Sequence, residues 1–246
     1  MTAMPAQAAR ALPGRTIVLA DADDLAHRAA AWLVNRACAA PGRIAVCLSG
    51  GETPRPVYRL LASPPYRDCF PWDRVHWFWG DERCVPADHP RSNYAMVRGA
   101  LFDRVAVPRS HIHPIAAAAG AEAGAAAYET ELKRFYGAER FAPERPLFAA
   151  TLLGLGTDGH TASLFPGIAA LRETERWTAA VPEATPESRV TLTYPALDSS
   201  AALAFVVGGA AKRPALERLA RGDDLPAAHI DPIGGVVWLL DRSAAP

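Results

Sequence analysis

Short apolar segments, each followed by a polar or glycine-rich turn and then by residues at helical spacing, limit the possible fold more than any other feature. Strands that are covered on both faces appear in a sequence as such continuous apolar runs. We therefore predict an α/β fold, a Rossmann-like open, mainly parallel sheet with helices on both faces. The predicted strands are Thr16–Ala20, Arg43–Leu48, Val75–Trp79, Phe148–Leu155, Val190–Tyr194, Ala202–Val207 and Val236–Leu240.

Helical patterns separate most of these strands. The first predicted helix is capped by Asp21 or Asp23. A second begins near Thr53, and the others cover Ser92–Phe102, 115–137 and Ala210–Arg221. No internal repeat or low-complexity linker divides the 246 residues, and a chain of this length can form one large α/β domain. We therefore expect a single domain over residues 1–246.

Composition excludes several classes of partner. Basic and acidic residues number 26 each, so the formal net charge is zero and no basic excess attracts nucleic acid or an anionic membrane. No stretch approaches the roughly 20 apolar residues that a membrane helix needs, and the N-terminal MTAMPAQAARALPGR lacks the apolar run of a signal peptide. We expect a cytoplasmic protein with neither nucleic acid nor membrane as partner.

The cysteines also point away from metal binding. Cys38, Cys47, Cys69 and Cys84 form no C-x-x-C pair and no zinc-like spacing with histidine. We interpret them as free thiols in a reducing compartment, and we expect no metal site.

Four of the turns after predicted strands carry polar side chains: 49–53, 80–83, 154–161 and 208–212. In an open α/β sheet, ligands bind beyond the carboxyl ends of the strands. We therefore expect these turns to meet at one edge of the sheet, with His160 among them.

The first turn, SGGETP, links a strand to a helix. Its glycines, Gly50 and Gly51, free backbone N–H groups for an anion such as phosphate, and the hydroxyls of Ser49 and Thr53 add two donors. The alternative is an ordinary turn in which Thr53 caps the helix.

Two further cations accompany this turn. Lys212 stands at a predicted helix start, where a cation is disfavoured unless an anion is bound. Arg189 begins the strand RVTLTYP, and its alternative role is that of a solvated strand end.

The turns GDER and GTDGHTAS contain the candidates for chemistry. Arg83 can hold an anion or a developing oxyanion, and Asp81 can act as a base, although both suit a surface turn as well. His160 exchanges protons near neutral pH, and Asp158 stands two residues before it in the same turn. Ser163 is disfavoured as a nucleophile because the G-x-S-x-G elbow is absent.

Together these stretches resemble the 6-phosphogluconolactonase family. The resemblance is carried in order, over nearly the whole chain, by LSGGETPRPVYRLL (48–61), WFWGDERCVPADHPRSNYAMVR (77–98), LLGLGTDGHTASLFPG (152–167), RVTLTYPALDSSAALAFVVGGAAKRPAL (189–216) and GGVVWLLDRSAA (234–245). One departure is Glu52, a carboxylate beside the glycines where a small or hydroxyl residue is expected, which must point away from a bound phosphate.

The resemblance implies hydrolysis of 6-phospho-D-glucono-1,5-lactone to 6-phosphogluconate, the second step of the oxidative pentose phosphate pathway. It implies His160 as general base, Arg83 as electrostatic stabiliser, and Asp158 and Asp81 as their companions. Phosphate would bind to Gly50, Gly51, Thr53 and Lys212 in the resemblance, with Arg189 as a further phosphate-binding residue. No metal or organic cofactor is needed for this reaction. The partner is a small sugar-phosphate lactone, and the sequence leaves the oligomeric state open, with a monomer as the expectation.

Two alternatives remain. Glucosamine-6-phosphate deaminases share these turns, but carry an aromatic residue where Arg83 stands and a glutamate where Phe165 stands; a phenyl ring cannot relay a proton. A sugar-phosphate sensor would be attached to a DNA-binding helix-turn-helix, for which about 15 residues before the first predicted strand are too few.

Overall fold

The computed structural model describes residues 11–246. Most of the N-terminal segment MTAMPAQAARALPGR, for which no signal peptide is predicted, lies in residues 1–10, outside the described residues. The strands are β1 Arg15–Leu19, β2 Ile44–Leu48, β3 Val75–Trp79, β4 Asp81–Arg83, β5 Ala150–Leu153, β6 Thr178–Val181, β7 Arg189–Leu192, β8 Leu203–Val207 and β9 Val236–Asp241.

The main sheet has six strands in the order β1-β9-β8-β5-β2-β3, and every neighbouring pair is parallel. Every residue of β2, β5 and β8 is buried, so both faces of the middle of the sheet are covered. The predicted α/β fold with a mainly parallel sheet is confirmed.

The helices follow the predicted pattern, with changes at their starts. The α-helices are α1 Ala22–Ala39, α2 Arg55–Leu61, α3 Tyr66–Cys69, α4 Asn93–Val97, α5 Ala121–Tyr136, α6 Tyr194–Asp198 and α7 Arg213–Arg221. The prediction over 115–137 starts too early, because Gly120, at φ 113°, turns the chain just before α5. Ala210–Lys212 forms a 3₁₀ turn ahead of α7.

Local capping explains two of these helices. The Asp21 side chain accepts hydrogen bonds from the N–H groups of Asp23 and Asp24, and so caps α1 as predicted. Ser92 caps α4 by accepting from the Ala95 N–H. α4 then continues into a π-helical turn, Arg98–Phe102, so the predicted helix Ser92–Phe102 is divided into two helix types.

A second, antiparallel sheet in the order β4-β7-β6 is the feature that the sequence analysis misses. The chain passes from the main sheet into it at Gly80, whose N–H donates to the Leu48 carbonyl and whose own carbonyl accepts from Leu192. β4 therefore extends from the carboxyl end of β3 and places Asp81 and Arg83 at the ligand-binding edge.

Candidate active site

The four polar turns meet at the carboxyl edge of the main sheet, as predicted. The strands that precede them are β2, β3, β5 and β8, which lie side by side in the sheet. Their turns enclose a cleft of about 410 Å³. Its lining includes Ser49, Gly50, Gly51, Thr53, Asp81, Arg83, His160, Arg189 and Lys212, which are the candidate residues except for Asp158.

Asp158 lies directly behind His160. The imidazole Nδ1 is 2.6 Å from the Asp158 Oδ1, which also accepts the His160 backbone N–H at 3.1 Å. A Cβ at Gly156 would lie 2.0 Å from the His160 Nδ1 and 2.5 Å from the Asp158 Oδ1. The side chains of His160 and Asp158 therefore pack against Gly156, where a larger residue has no space.

The charge of Asp158 fixes the tautomer of His160. Burial raises the pKa of Asp158, but its hydrogen bonds from His160 and the charge of that ring outweigh burial, so the net pKa lies below the ordinary value. An ionised Asp158 makes Nδ1 the protonated nitrogen. Nε2 has no hydrogen-bond partner within residues 11–246, so it presents a lone pair to the cleft that His160 lines.

Asp81 is a buried carboxylate held on both oxygens. Its Oδ2 accepts from the Ser163 hydroxyl at 2.5 Å and lies 3.7 Å from the Arg189 Nη1. Its Oδ1 accepts from the Asn93 amide at 3.0 Å. Ser163 is fully buried and donates to Asp81, so its hydroxyl is in no position to attack a ligand in the cleft.

Arg83 and Arg189 stand opposite each other on β4 and β7. Like charges at such paired positions repel. The Arg83 Nη1 donates to the Arg91 carbonyl at 2.6 Å, and the Nε atoms of both arginines are buried without a partner among the described residues. Both arginines line the cleft, and guanidinium groups in such a place are suited to an anion or a developing oxyanion.

The glycine turn after β2 is held by Tyr58, whose hydroxyl accepts from the Ser49 N–H and donates to the Ser49 carbonyl. Thr53 does not cap α2: the capping position is Pro54, with no side-chain hydrogen bond. The alternative reading of Thr53 as a helix cap is therefore wrong, and its hydroxyl remains for the cleft.

Glu52 and Lys212 fit an anion at this turn. Glu52 is 80% exposed and pairs with Arg55 at 2.8 Å, which compensates the carboxylate charge beside the glycines. Burial lowers the pKa of Lys212, and the charge of Asp158 partly restores it. A half-buried ammonium is stabilised by an anionic ligand.

Sequence reasoning assigns no role to two residues that build this site, Glu82 and Asn93. The buried Glu82 carboxylate accepts from the backbone N–H groups of Arg83, Asn93 and Tyr94 and from the Ser92 hydroxyl. Burial raises its pKa while these four donors lower it, with a net rise. The sequence signal for the role of Glu82 is its position, ten residues before the Ser92-Asn93 pair that starts α4.

Two properties of the described residues bear on other functions. Within residues 11–246, no group of three or more His, Cys, Asp or Glu side chains is arranged to hold a metal ion. In the same part of the chain, no helix combines the length and apolar character that crossing a bilayer requires. The cysteines in this part are free, as predicted.

Comparison with known proteins identifies close relatives. A family model described as "Glucosamine-6-phosphate isomerases/6-phosphogluconolactonase" matches residues 20–238. A 6-phosphogluconolactonase of Synechocystis is 43% identical over 86% of this chain and 87% of its own length. One of Nostoc is 41% identical over 95% of each chain.

Solved structures agree with these relatives. The crystal structure of a 6-phosphogluconolactonase from Thermotoga maritima superposes with a TM-score of 0.79 at 28% identity, covering 93% of this chain and 99% of that one. The match therefore extends over nearly the whole of both chains.

Proposed function

We propose that this chain, which belongs to the glucosamine-6-phosphate isomerase/6-phosphogluconolactonase family, hydrolyses 6-phospho-D-glucono-1,5-lactone to 6-phosphogluconate, the second step of the oxidative pentose phosphate pathway. The observation that carries the proposal is His160, with Nδ1 fixed by Asp158 and Nε2 unpaired within residues 11–246, in a cleft that also holds three cationic side chains. The curated relatives at 41–43% identity bear the name of this activity.

The phosphate is proposed to bind at the glycine turn. Gly50 and Gly51 offer backbone N–H groups, Ser49 and Thr53 offer hydroxyls, and Lys212 supplies a positive charge across the cleft. The desolvation that lowers the pKa of Lys212 strengthens its attraction to a phosphate, because the charge is less screened by water.

The lactone ring then lies between His160 and the paired arginines. His160 takes a proton through Nε2 from a water molecule as that water's oxygen attacks the carbonyl carbon. Asp158 stabilises the imidazolium through the Nδ1–H hydrogen bond. Arg83 stabilises the negative charge on the former carbonyl oxygen, with Arg189 adding positive potential beside it.

Collapse of the tetrahedral intermediate completes the reaction. The bond between the carbonyl carbon and the ring oxygen breaks, and the ring oxygen takes its proton from the imidazolium of His160. The products are a free hydroxyl and a carboxylic acid, which ionises at neutral pH. The proposed reaction uses water and the side chains of the cleft.

Asp81 is proposed to bind a hydroxyl group of the substrate and to orient Arg189. The cation within salt-bridge distance of Asp81 is Arg189, at 3.7 Å, so we assign Asp81 to Arg189 and not to Arg83. Its hydrogen bonds with Ser163 and Asn93 leave it poorly placed to take up a proton, so His160 remains the preferred base.

The surroundings of His160 disfavour deaminase chemistry. The ring of Phe165 lies 4.4 Å from the His160 ring, and the Arg189 guanidinium lies 5.5 Å from the same phenyl. A phenyl side chain fills the space where a second acid–base group would have to stand.

We further propose that the protein acts in the cytoplasm as a monomer, on a small substrate and without a nucleic-acid partner.

The test is lactone opening with freshly generated 6-phosphoglucono-1,5-lactone, followed as acid release above the spontaneous rate. Wild type should accelerate opening, and His160→Ala should lose about 10²–10⁴-fold in kcat/KM while still binding 6-phosphogluconate. Ammonia release from glucosamine 6-phosphate would favour the deaminase. Binding of sugar phosphates without turnover would favour a sensor.

A further inference from the structure

We propose that Asn93 is a positioning residue that holds the Asp81 carboxylate and the Gly50 backbone in one arrangement, and so joins the phosphate end of the cleft to its catalytic end. The kinetic part of this inference rests on the proposed function. Its structural part, that Asn93 supplies the hydrogen bond that keeps Asp81 in place, can be tested without substrate.

The Asn93 amide is directed by its two acceptors. The side chain is 2% exposed, and its Nδ2 donates to the Asp81 backbone carbonyl at 2.8 Å and to the Asp81 Oδ1 at 3.0 Å. The reversed amide would place an oxygen against two oxygens, so the hydrogen bonds fix which end of the amide faces which neighbour.

The other end of the amide faces the glycine turn. The Asn93 Oδ1 is buried with no hydrogen-bond partner within residues 11–246. A Cβ added to Gly50 would lie 1.7 Å from this oxygen and 2.2 Å from the Asn93 Cγ. The Gly50 backbone therefore lies directly on the amide, in a contact that excludes every larger residue and leaves only a weak Cα–H interaction with the oxygen.

Asn93 is itself anchored to β4. Its backbone N–H donates to the Glu82 Oε1 at 2.8 Å, while the neighbouring N–H of Tyr94 and hydroxyl of Ser92 donate to the Glu82 Oε2. Three donors from this turn on one buried carboxylate leave the start of α4 little freedom. The backbone of Asn93 is therefore held in place, and its side chain can position Asp81 and Gly50.

Asn93 therefore couples the position of Asp81, at the catalytic end of the cleft, to that of Gly50, at the phosphate end. Without the amide donor, the Asp81 Oδ1 loses a buried hydrogen bond, and the carboxylate keeps only Ser163 and Arg189 on its Oδ2. Gly50 at the same time loses the surface on which it lies. A change at Asn93 should therefore affect both KM, through the phosphate turn, and kcat, through Asp81 and Arg189.

The decisive variant is Asn93→Asp, which keeps the size of the side chain but replaces the donor with a second carboxylate about 3 Å from Asp81. Two carboxylates at this distance share one proton, which then takes the place of the amide hydrogen. The charged groups around the pair are Arg189, Arg83 and Glu82, and the Cys47 thiol is close enough to sense the Asp81 charge. These groups are the same in wild type and variant.

We expect the ratio of kcat/KM, variant to wild type, to be lowest at pH 8 and to rise about tenfold or more by pH 6, since one pKa unit corresponds to a tenfold change. The ratio cancels titrations common to both proteins. The matched control is Tyr94→Phe, on the same helix α4, which removes a hydroxyl that bonds to neither Asp81 nor Glu82 within residues 11–246; its ratio to wild type should not change with pH.

Urea unfolding without substrate tests the contact by itself. A shared proton means a raised carboxylate pKa in the folded variant, so its stability relative to wild type should fall as pH rises from 4, near the ordinary aspartate value, to 8. Asn93→Ala covers the case in which the Asp variant unfolds at pH 8: it should lose about tenfold in kcat/KM, an effect equivalent to one lost hydrogen bond to a charged group, with no recovery at pH 6.

Three results would overturn the inference: a variant-to-wild-type ratio that does not change with pH, a relative stability that does not change with pH, or an Asn93→Ala variant within twofold of wild type. Failure of wild type itself to open the lactone would instead refute the proposed function. The unfolding measurements would still decide whether Asn93 holds Asp81.

Discussion

Two regions of this molecule contain a histidine bound to a carboxylate, and they differ in what surrounds the pair. At the cleft, the His160 Nδ1 is 2.6 Å from Asp158. On the side of the sheet where α5 packs near β3, the His113 Nδ1 is also 2.6 Å from a carboxylate, that of Glu131. The contact is the same in length and in atom type, so it cannot by itself distinguish a catalytic pair from a structural one.

The second ring nitrogen makes the difference. The His113 Nε2 bonds to His76 at 2.8 Å, its ring stacks on Phe78 at 4.4 Å, and Glu131 is shared with Arg134. The His160 Nε2 faces the cleft without a partner among the described residues. A histidine pair becomes a base where one nitrogen is oriented and the other is accessible to a ligand.

The largest expected difference between the regions is in catalysis. His160→Asn and His113→Asn each keep a donor near Nδ1 and remove Nε2. The first should lower kcat/KM for lactone opening by about 10²–10⁴-fold, the usual cost of losing a general base, while the second should leave it nearly unchanged. Initial rates on fresh lactone measure both. Similar losses in the two variants would mean that His160 is not the general base.

The carboxylates provide the next comparison. Asp158→Asn removes the charge that orients and stabilises the His160 ring, and we expect kcat/KM to fall about 10- to 100-fold, as for other partners that orient a histidine. Glu131→Gln should leave kcat/KM unchanged, because its histidine does not face the substrate. A loss in kcat with little change in KM for Asp158→Asn would identify an effect on the chemical step.

Two lysines differ in the same way as the two histidines: one is paired with carboxylates and the other lines the cleft. Lys133 on α5 is paired with Glu129 at 2.9 Å and Glu139 at 3.1 Å, whereas Lys212 lines the cleft. Lys212→Met should raise KM about tenfold through the loss of one charge-assisted hydrogen bond, with a smaller effect on kcat. Lys133→Met is the matched control and should keep the wild-type KM. Unchanged KM in both would place the phosphate elsewhere in the cleft.

The parts of the fold and site that the sequence predicts are those with a local signal. The strands of the main sheet are apolar runs, and the turns after β2, β3, β5 and β8 are visible as glycines followed by charges. Because parallel strands share a direction, the convergence of these turns follows from the fold class alone. The position of His160 in the cleft follows from the same reasoning, whereas its hydrogen bond with Asp158 does not, because a spacing of two residues on a tight turn does not establish a contact.

The features that the sequence does not predict depend on distant contacts. β4 has three residues, two of them acidic, and is a strand because it pairs with β7 more than 100 residues later. The Ser163 hydroxyl reaches Asp81 across 82 residues, and Asn93 reaches it across 12. No periodicity marks such contacts, so Ser163 and Asn93 acquire their roles only once the second sheet is built.

The smallest expected effect concerns the structural histidines and appears in stability, not in rate. Burial, together with the charges of His111, His113 and Arg43, lowers the pKa of His76 to about 4, and Glu131 opposes this. The unfolded chain takes up this proton near pH 6.5, the ordinary value, and the folded chain does so only near 4. Wild-type stability should therefore fall as pH drops through this window, with a contribution from His76 of about 1 kcal/mol by pH 5 after allowance for partial solvent access.

His76→Phe sharpens this last prediction, because a phenyl ring can keep the stacking on His111, now at a centroid distance of 4.1 Å, but cannot take up a proton. Urea unfolding at pH 7.5, 6 and 5 should show a smaller loss of free energy on acidification for the variant than for wild type. Its kcat/KM should stay close to wild type, since His76 lies on β3 outside the cleft lining. An equal pH dependence in both proteins would assign the acid sensitivity to other groups.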